Sequence, residues 1–143
     1  MIRVATGGCF DILHAGHIDY FKRICKFVEN QYGLSSYNLE VYVNSDSSVR
    51  LLKGKDRPIN DLQNRIIMLE AIRYIDSVHV FEEDTPCNII KYRQPDIWVK
   101  GGDYTMDDLP EAEVVKSYGG KVYVLPFRID ISTTKIIEKI KNG

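Results

Sequence analysis

The sequence predicts an α/β fold, a doubly wound parallel sheet of about five strands with helices on both faces. Three observations carry that reading. Short β-favouring runs alternate with segments of helical period from one end of the chain to the other. The 143 residues suffice for one core and leave no room for a second folding unit, so 1–143 is read as one domain. Glycine-rich and polar punctuation falls at Gly7-Gly8, Asn44-Ser45-Asp46, Gly101-Gly102-Asp103 and Ser132-Thr133-Thr134. Open α/β sheets bind ligands at such strand ends.

Ile2 to Thr6 reads as the first strand, closed by Gly7-Gly8. Ile18, Phe21, Cys25 and Val28 recur at helical spacing and predict a helix from about Gly16 to Val28. The connection from Phe27 to Leu39 is long for a helix-to-strand link, and Leu39 to Asn44 alternates as a strand. Asp61 is placed to cap a helix carrying Leu62, Ile66, Leu69 and Arg73. Val78 to Phe81 is the third strand, and Pro86 suits the first turn of a helix running through Ile90 to Tyr92. Ile97 to Lys100 is the fourth strand, Glu111 to Tyr118 a helix, Val122 to Leu125 the fifth strand, and Thr133 to Lys141 a closing helix.

Hydrophobic residues at 44% and charged residues at 27% exclude a disordered chain. Nineteen Lys and Arg against 20 Asp and Glu give a net charge of -1 and no basic aromatic stripe, so neither nucleic acid nor membrane is expected as a partner. No apolar run approaches the ~18 residues that span a bilayer. Cys9, Cys25 and Cys87 are odd in number and lack Cys-x-x-Cys spacing, and Met1-Ile2-Arg3-Val4 has no signal-peptide layout. A cytoplasmic protein is the expectation. The near-neutral total hides local asymmetry: Lys53, Lys55, Arg57, Arg65, Lys100, Arg128 and Lys135 fall in or beside the punctuated segments, which suits one small polyanion.

Two of the three histidines lie in Gly8-Cys9-Phe10-Asp11-Ile12-Leu13-His14-Ala15-Gly16-His17. Here a strand ends, a turn follows and a helix begins, and a helix N-terminus offers free N–H groups to an anion. Two imidazoles three residues apart, with Gly16 admitting a close ligand, can reach one phosphate. Zinc is a poor rival without a third histidine or clustered cysteines. His79, alone in a strand, reads as structural.

Gly8-x-Phe10-Asp11-x-x-His14-x-Gly16-His17 resembles the signature of the cytidylyltransferase-like nucleotidyltransferases, and Ile131-Ser132-Thr133-Thr134-Lys135-Ile136-Ile137 resembles their second signature. Asn44-Ser45-Asp46, Lys53-Gly54, Arg57-Pro58, the stretch from Phe81 to Pro86 and the stretch from Val99 to Tyr104 are similar to one subgroup. That subgroup joins ATP to D-glycero-D-manno-heptose 1-phosphate. The resemblance covers essentially the whole chain and implies a Rossmann-like nucleotidyltransferase fold.

It further implies attack of a sugar-phosphate oxygen on the α-phosphorus, with pyrophosphate leaving and no protein nucleophile. His14, His17, Lys53 and Lys55 would be catalytic, the lysines from a loop after the second strand. Cys9, Phe10, Gly16, Asp103, Arg128, Ser132, Thr133 and Thr134 would bind the nucleotide, and Asn44, Asp46 and Lys100 the substrate. Asp11 and Arg65 are counted with the substrate-binding residues, Asp11 being open between positioning substrate and positioning metal, and Arg65 between pairing with phosphate and bracing the site. Mg²⁺ would be bound mainly through the triphosphate, with no direct protein ligand, and the chain would form a homodimer. Arg128 stands where the heptose enzymes carry an acidic residue, and Asp130 where they carry glycine. Arg128 is instead similar to the glycerol-3-phosphate cytidylyltransferases, which keeps CTP and glycerol 3-phosphate as the alternative substrates. A non-catalytic nucleotide-binding module on the same fold is the reading from another class.

Overall fold

The computed structural model describes residues 1–33, 35–102 and 104–143. Five strands, β1 (Ile2–Gly8), β2 (Tyr37–Asn44), β3 (Ser77–Phe81), β4 (Ile97–Gly101) and β5 (Lys121–Leu125), form one sheet in the order β3-β2-β1-β4-β5. Every pairing is parallel, with Val4 opposite both Leu39 and Ile97. Six helices interleave: α1 (Ala15–Tyr32), α2 (Asp46–Lys53), α3 (Leu62–Glu70), α4 (Cys87–Arg93), α5 (Pro110–Ser117) and α6 (Thr133–Lys141). A 3-10 turn, Met106–Asp108, precedes α5.

Strand alternation divides the apolar residues between two faces. Val4, Val41, Val43, Ile97 and Val99 pack with Phe21, Ile24 and Val28 of α1 and Leu69 of α3. Ala5, Tyr42, Trp98 and Val122 pack on the other face with Ile90 of α4 and Ala112 and Val115 of α5. The order reverses between β1 and β4, so the carboxyl ends of those two strands open the crevice that such sheets use for ligands.

Three expectations need correction. The first helix runs past Val28 to Tyr32, because its last turn is wholly exposed and carries no apolar period, and Gly33 (φ +63°) ends it in the left-handed conformation. The connection before the second strand is therefore only residues 33–36. Arg73 lies beyond α3, which stops at Glu70. Lys53 is not on a loop: it is the last residue of α2, a helix whose buried face is only Ser48 and Val49 and whose start is capped by Ser45. Such a face leaves no apolar stripe to read.

Candidate active site

A cavity of about 640 Å3 opens at the carboxyl ends of β1 and β4. It is lined by His14, His17, Lys53, Cys9, Phe10, Gly16, Ser132, Thr133, Thr134, Asp11, Asn44 and Lys100. Lys55, Asp46, Arg65 and Arg128 are not part of that lining. Asp103 lies outside the described residues.

The histidines cap their own helix. The Gly16 N–H donates to His14 Nδ1 at 3.1 Å, and the His14 N–H donates to His17 Nδ1 at 3.3 Å. Each Nδ1 is thus an acceptor, which puts each ring's proton on Nε2 and makes both rings neutral N–H donors. The rings stack at 3.8 Å between centroids. Burial lowers the pKa of His14; burial and then the neighbouring His14 press that of His17 down to about 4. Gly16 is required by close approach: a Cβ there would lie 2.9 Å from Cε1 of His14. The turn before the pair holds Phe10 at φ +47°, with its ring against His17 and Phe21. A left-handed phenylalanine costs about 1 kcal/mol and persists where the surroundings fix it. Burial raises the Cys9 thiol pKa, so it lines the cavity as an unreactive thiol.

Beneath this turn Arg65 is 1% exposed and makes four hydrogen bonds. Its Nη1 donates to the carbonyls of Cys9 (2.8 Å) and Asn44 (2.7 Å), Nε to that of Asn60 (3.0 Å), and Nη2 to Asp46 Oδ1 (2.7 Å). These bonds put Arg65 and Asp46 in a brace beneath the cavity rather than on its wall. Asn44 joins the same frame by donating from Nδ2 to Ser48 Oγ at 2.9 Å. Asp11 is equally committed, accepting from Arg57 Nε (2.8 Å) and the N–H groups of Ile59 (2.9 Å) and Asn60 (2.8 Å). Burial alone would raise its pKa, but these donors outweigh it and hold the carboxyl below its ordinary range. Asp11 therefore fastens the β1–α1 turn to the segment before α3.

The second signature divides its hydroxyls. Ser132 Oγ accepts from the Lys135 N–H at 3.1 Å as the cap of α6, and among the described residues its own O–H has no acceptor. Thr133 is buried and donates to the Ile12 carbonyl at 3.0 Å, so its hydroxyl is occupied in docking α6 onto the β1–α1 turn. Thr134 is exposed on the cavity wall. The nucleotide role expected of three hydroxyls is thus available to Ser132 and Thr134. Arg128 turns onto α1, where Nη2 donates to Asp19 Oδ1 at 2.7 Å and Nε to Oδ2 at 3.0 Å. It clamps a carboxylate, the usual partner of a guanidinium fork.

Sequence reasoning missed several wall residues. Tyr20 is buried, its hydroxyl shared with Thr6 Oγ1 at 2.8 Å, and it packs with Phe127 across Gly101, where a Cβ would lie 2.9 Å from Phe127. Trp98 and Glu111 also line the cavity, with Glu111 Oε1 accepting from Lys100 Nζ at 3.5 Å. The one tryptophan, in a strand next to a punctuated end, was the available signal; Glu111 in a helix carried none.

A family model described as cytidylyltransferase-like matches residues 5–139. The chain belongs to the cytidylyltransferase-like family. A curated member, "D-beta-D-heptose 1-phosphate adenylyltransferase" of Bordetella bronchiseptica, is 47% identical over 141 residues, which span 98% of this chain and 82% of that protein. Another, "Bifunctional protein HldE" of Alcanivorax borkumensis, is 46% identical over 96% of this chain, and the match spans 27% of its own length. The crystal structure of a lipopolysaccharide core biosynthesis protein from Thermoplasma volcanium is similar with a TM-score of 0.67 and 30% identity, covering 90% of this chain and 97% of that one.

Proposed function

We propose that this member of the family transfers AMP from ATP to D-glycero-D-manno-heptose 1-phosphate and releases pyrophosphate. The observation that carries this is the 47% identity over 98% of the chain to a protein named for heptose 1-phosphate adenylylation. A phosphate oxygen of the sugar attacks Pα, the bond from Pα to the oxygen bridging it to Pβ breaks, and that oxygen leaves with pyrophosphate. No covalent protein intermediate is needed, so the chain's task is alignment and stabilisation of charge.

α1 and α6 both direct N-termini at the cavity and have no acidic residue in their first turns, which leaves their positive ends to phosphates. His14 and His17 donate from Nε2 to the phosphate oxygens that gain charge. Lys53 at the end of α2 brings a cation to the leaving pyrophosphate, with Lys55 in the turn behind it. The reading includes Mg²⁺ carried mainly by the triphosphate, since that ion keeps much of its coordination for water and phosphate oxygens. When bound, that ion neutralises phosphate charge. The reading includes a cytoplasmic setting and a homodimer, whose interface would cover exposed apolar residues of the α2–α3 region such as Leu51, Ile59, Ile67 and Met68; sedimentation velocity reads the dimer directly.

Pyrophosphate release tests the reaction. ATP with heptose 1-phosphate is expected to give turnover, and His14→Ala and His17→Ala each to lower kcat by about 100-fold or more, the scale of a lost transition-state donor. Turnover with CTP and glycerol 3-phosphate alone would sink the adenylyl reading. Unchanged kcat in both variants would remove the histidines from the chemistry.

A further inference from the structure

Among the described residues, two buried side-chain polar atoms lack a hydrogen-bond partner: the indole Nε1 of Trp98 and Oε2 of Glu111. Both residues line the same cavity, Trp98 at 0% and Glu111 at 3% exposure. Buried polar atoms are nearly always paired, so each orphan asks for a partner. One is a donor and the other an acceptor. A hydroxyl group is both, and a polyol presents several.

The surroundings fix each atom. Trp98 is wedged against Gly7, where a Cβ would lie 3.1 Å from Cη2, and its ring sits 5.6 Å from that of Tyr42. Glu111 has Oε1 tied to Lys100 Nζ at 3.5 Å, and Lys100 is itself held 5.0 Å over the Tyr104 ring, which leaves Oε2 as the free oxygen. Charge then separates this part of the cavity from the phosphate end. α5 carries Glu111 in its first turn, so the positive end of that helix already faces a carboxylate. Asp108 stands in the turn before α5, and Asp84 stands before α4, which packs on α5. Lys100 is paired with Glu111, so Asp84 and Asp108 leave these residues net acidic, a setting that suits neutral hydroxyls better than a phosphate.

We propose that Trp98 and Glu111 form the hydroxyl-recognition site for the polyol part of the acceptor, with Nε1 donating to one sugar oxygen and Oε2 accepting from a sugar hydroxyl. The proposal rests on the adenylyltransferase reading above and adds to it the residues that select the acceptor.

Trp98 is the chain's single tryptophan, so its fluorescence reports occupancy without turnover. D-glycero-D-manno-heptose 1-phosphate is titrated into the wild-type chain and into Glu111→Gln, with ATP affinity measured separately by calorimetry. The expected result is a saturable change in emission, a Kd for the sugar phosphate at least tenfold weaker in Glu111→Gln, and a Kd for ATP within twofold. Trp98→Phe, followed by kinetics, raises KM for the sugar phosphate at least fivefold with KM for ATP held. No change in emission, an unaltered sugar affinity in both variants, or equal weakening of sugar and ATP would overturn the site. Binding with this signature but no pyrophosphate from ATP would instead overturn the reaction and leave the site standing. Normal pyrophosphate release with unaltered acceptor KM in both variants would do the reverse.

Discussion

At pH 7 His17 is neutral, because burial and its stacked neighbour His14 press its pKa down to about 4. A free imidazole titrates near 6.5. The unfolded chain therefore binds more protons than the folded one between about pH 6.5 and pH 4, and stability falls as pH falls through that window. Above it the contribution of the neutral ring is fully present. The shift corresponds to about 3 kcal/mol as an upper bound. Urea midpoints at pH 7.5 and pH 5 should thus differ in the wild-type chain and differ less in His17→Asn. Equal pH dependence in the two would show that the loss belongs to other groups, such as His14 or His79, whose pKa values are also lowered by burial. The capping box also fixes the tautomer: with both Nδ1 atoms accepting, the proton of each neutral ring stands on Nε2.

Arg65 acts between elements, joining the turn after β1, the end of β2, the start of α2 and the segment before α3. Arg65→Lys keeps the charge but cannot span four acceptors, so several buried carbonyls lose their donor. The expected loss is about 2–4 kcal/mol of unfolding free energy, read from urea denaturation. If Arg65 instead gripped phosphate, the variant would keep its stability and raise KM for ATP sharply; that outcome would overturn the brace. Elements with an apolar period were legible in the sequence: α6 runs from Thr133 to Lys141 as read, and Asp61 caps α3 through its bond to the Asn64 N–H. α2 was not, since its face toward the sheet is Ser48 and Val49 while Leu51 and Leu52 stay exposed. The motif residues that line the cavity were legible as types at a spacing. Their division of labour was not, because only packing shows that Thr133 and Arg128 already have partners in Ile12 and Asp19.

Across the whole molecule the cavity joins parts of unequal stability. Its floor is β1 and β4 at the centre of the sheet, where Val4, Ala5, Trp98 and Val99 are fully buried. Its far wall is the segment after β5 together with α6, a helix whose only buried residue is Thr133. Polar side-chain links between three residue pairs hold that wall to the turn before α1 and to α1 itself: Thr133 to the Ile12 carbonyl, Arg23 to the Pro126 carbonyl at 2.6 Å, and Arg128 to Asp19. Exposed ion pairs contribute little, about 1 kcal/mol or less, so α6 has few contacts to resist local opening. A triphosphate held at once by the N-termini of α1 and α6 would add contacts that the free chain lacks. Amide hydrogen exchange should therefore be fast across 126–141 in the free protein and slow in β1 and β4. Adding ATP with Mg²⁺ should slow it at 126–141 far more than in the sheet, with α1 protected chiefly in its first turn. Protection confined to the α2–α3 region, with 126–141 unchanged, would show that the nucleotide does not engage α6 and would return Ser132 and Thr134 to purely structural roles.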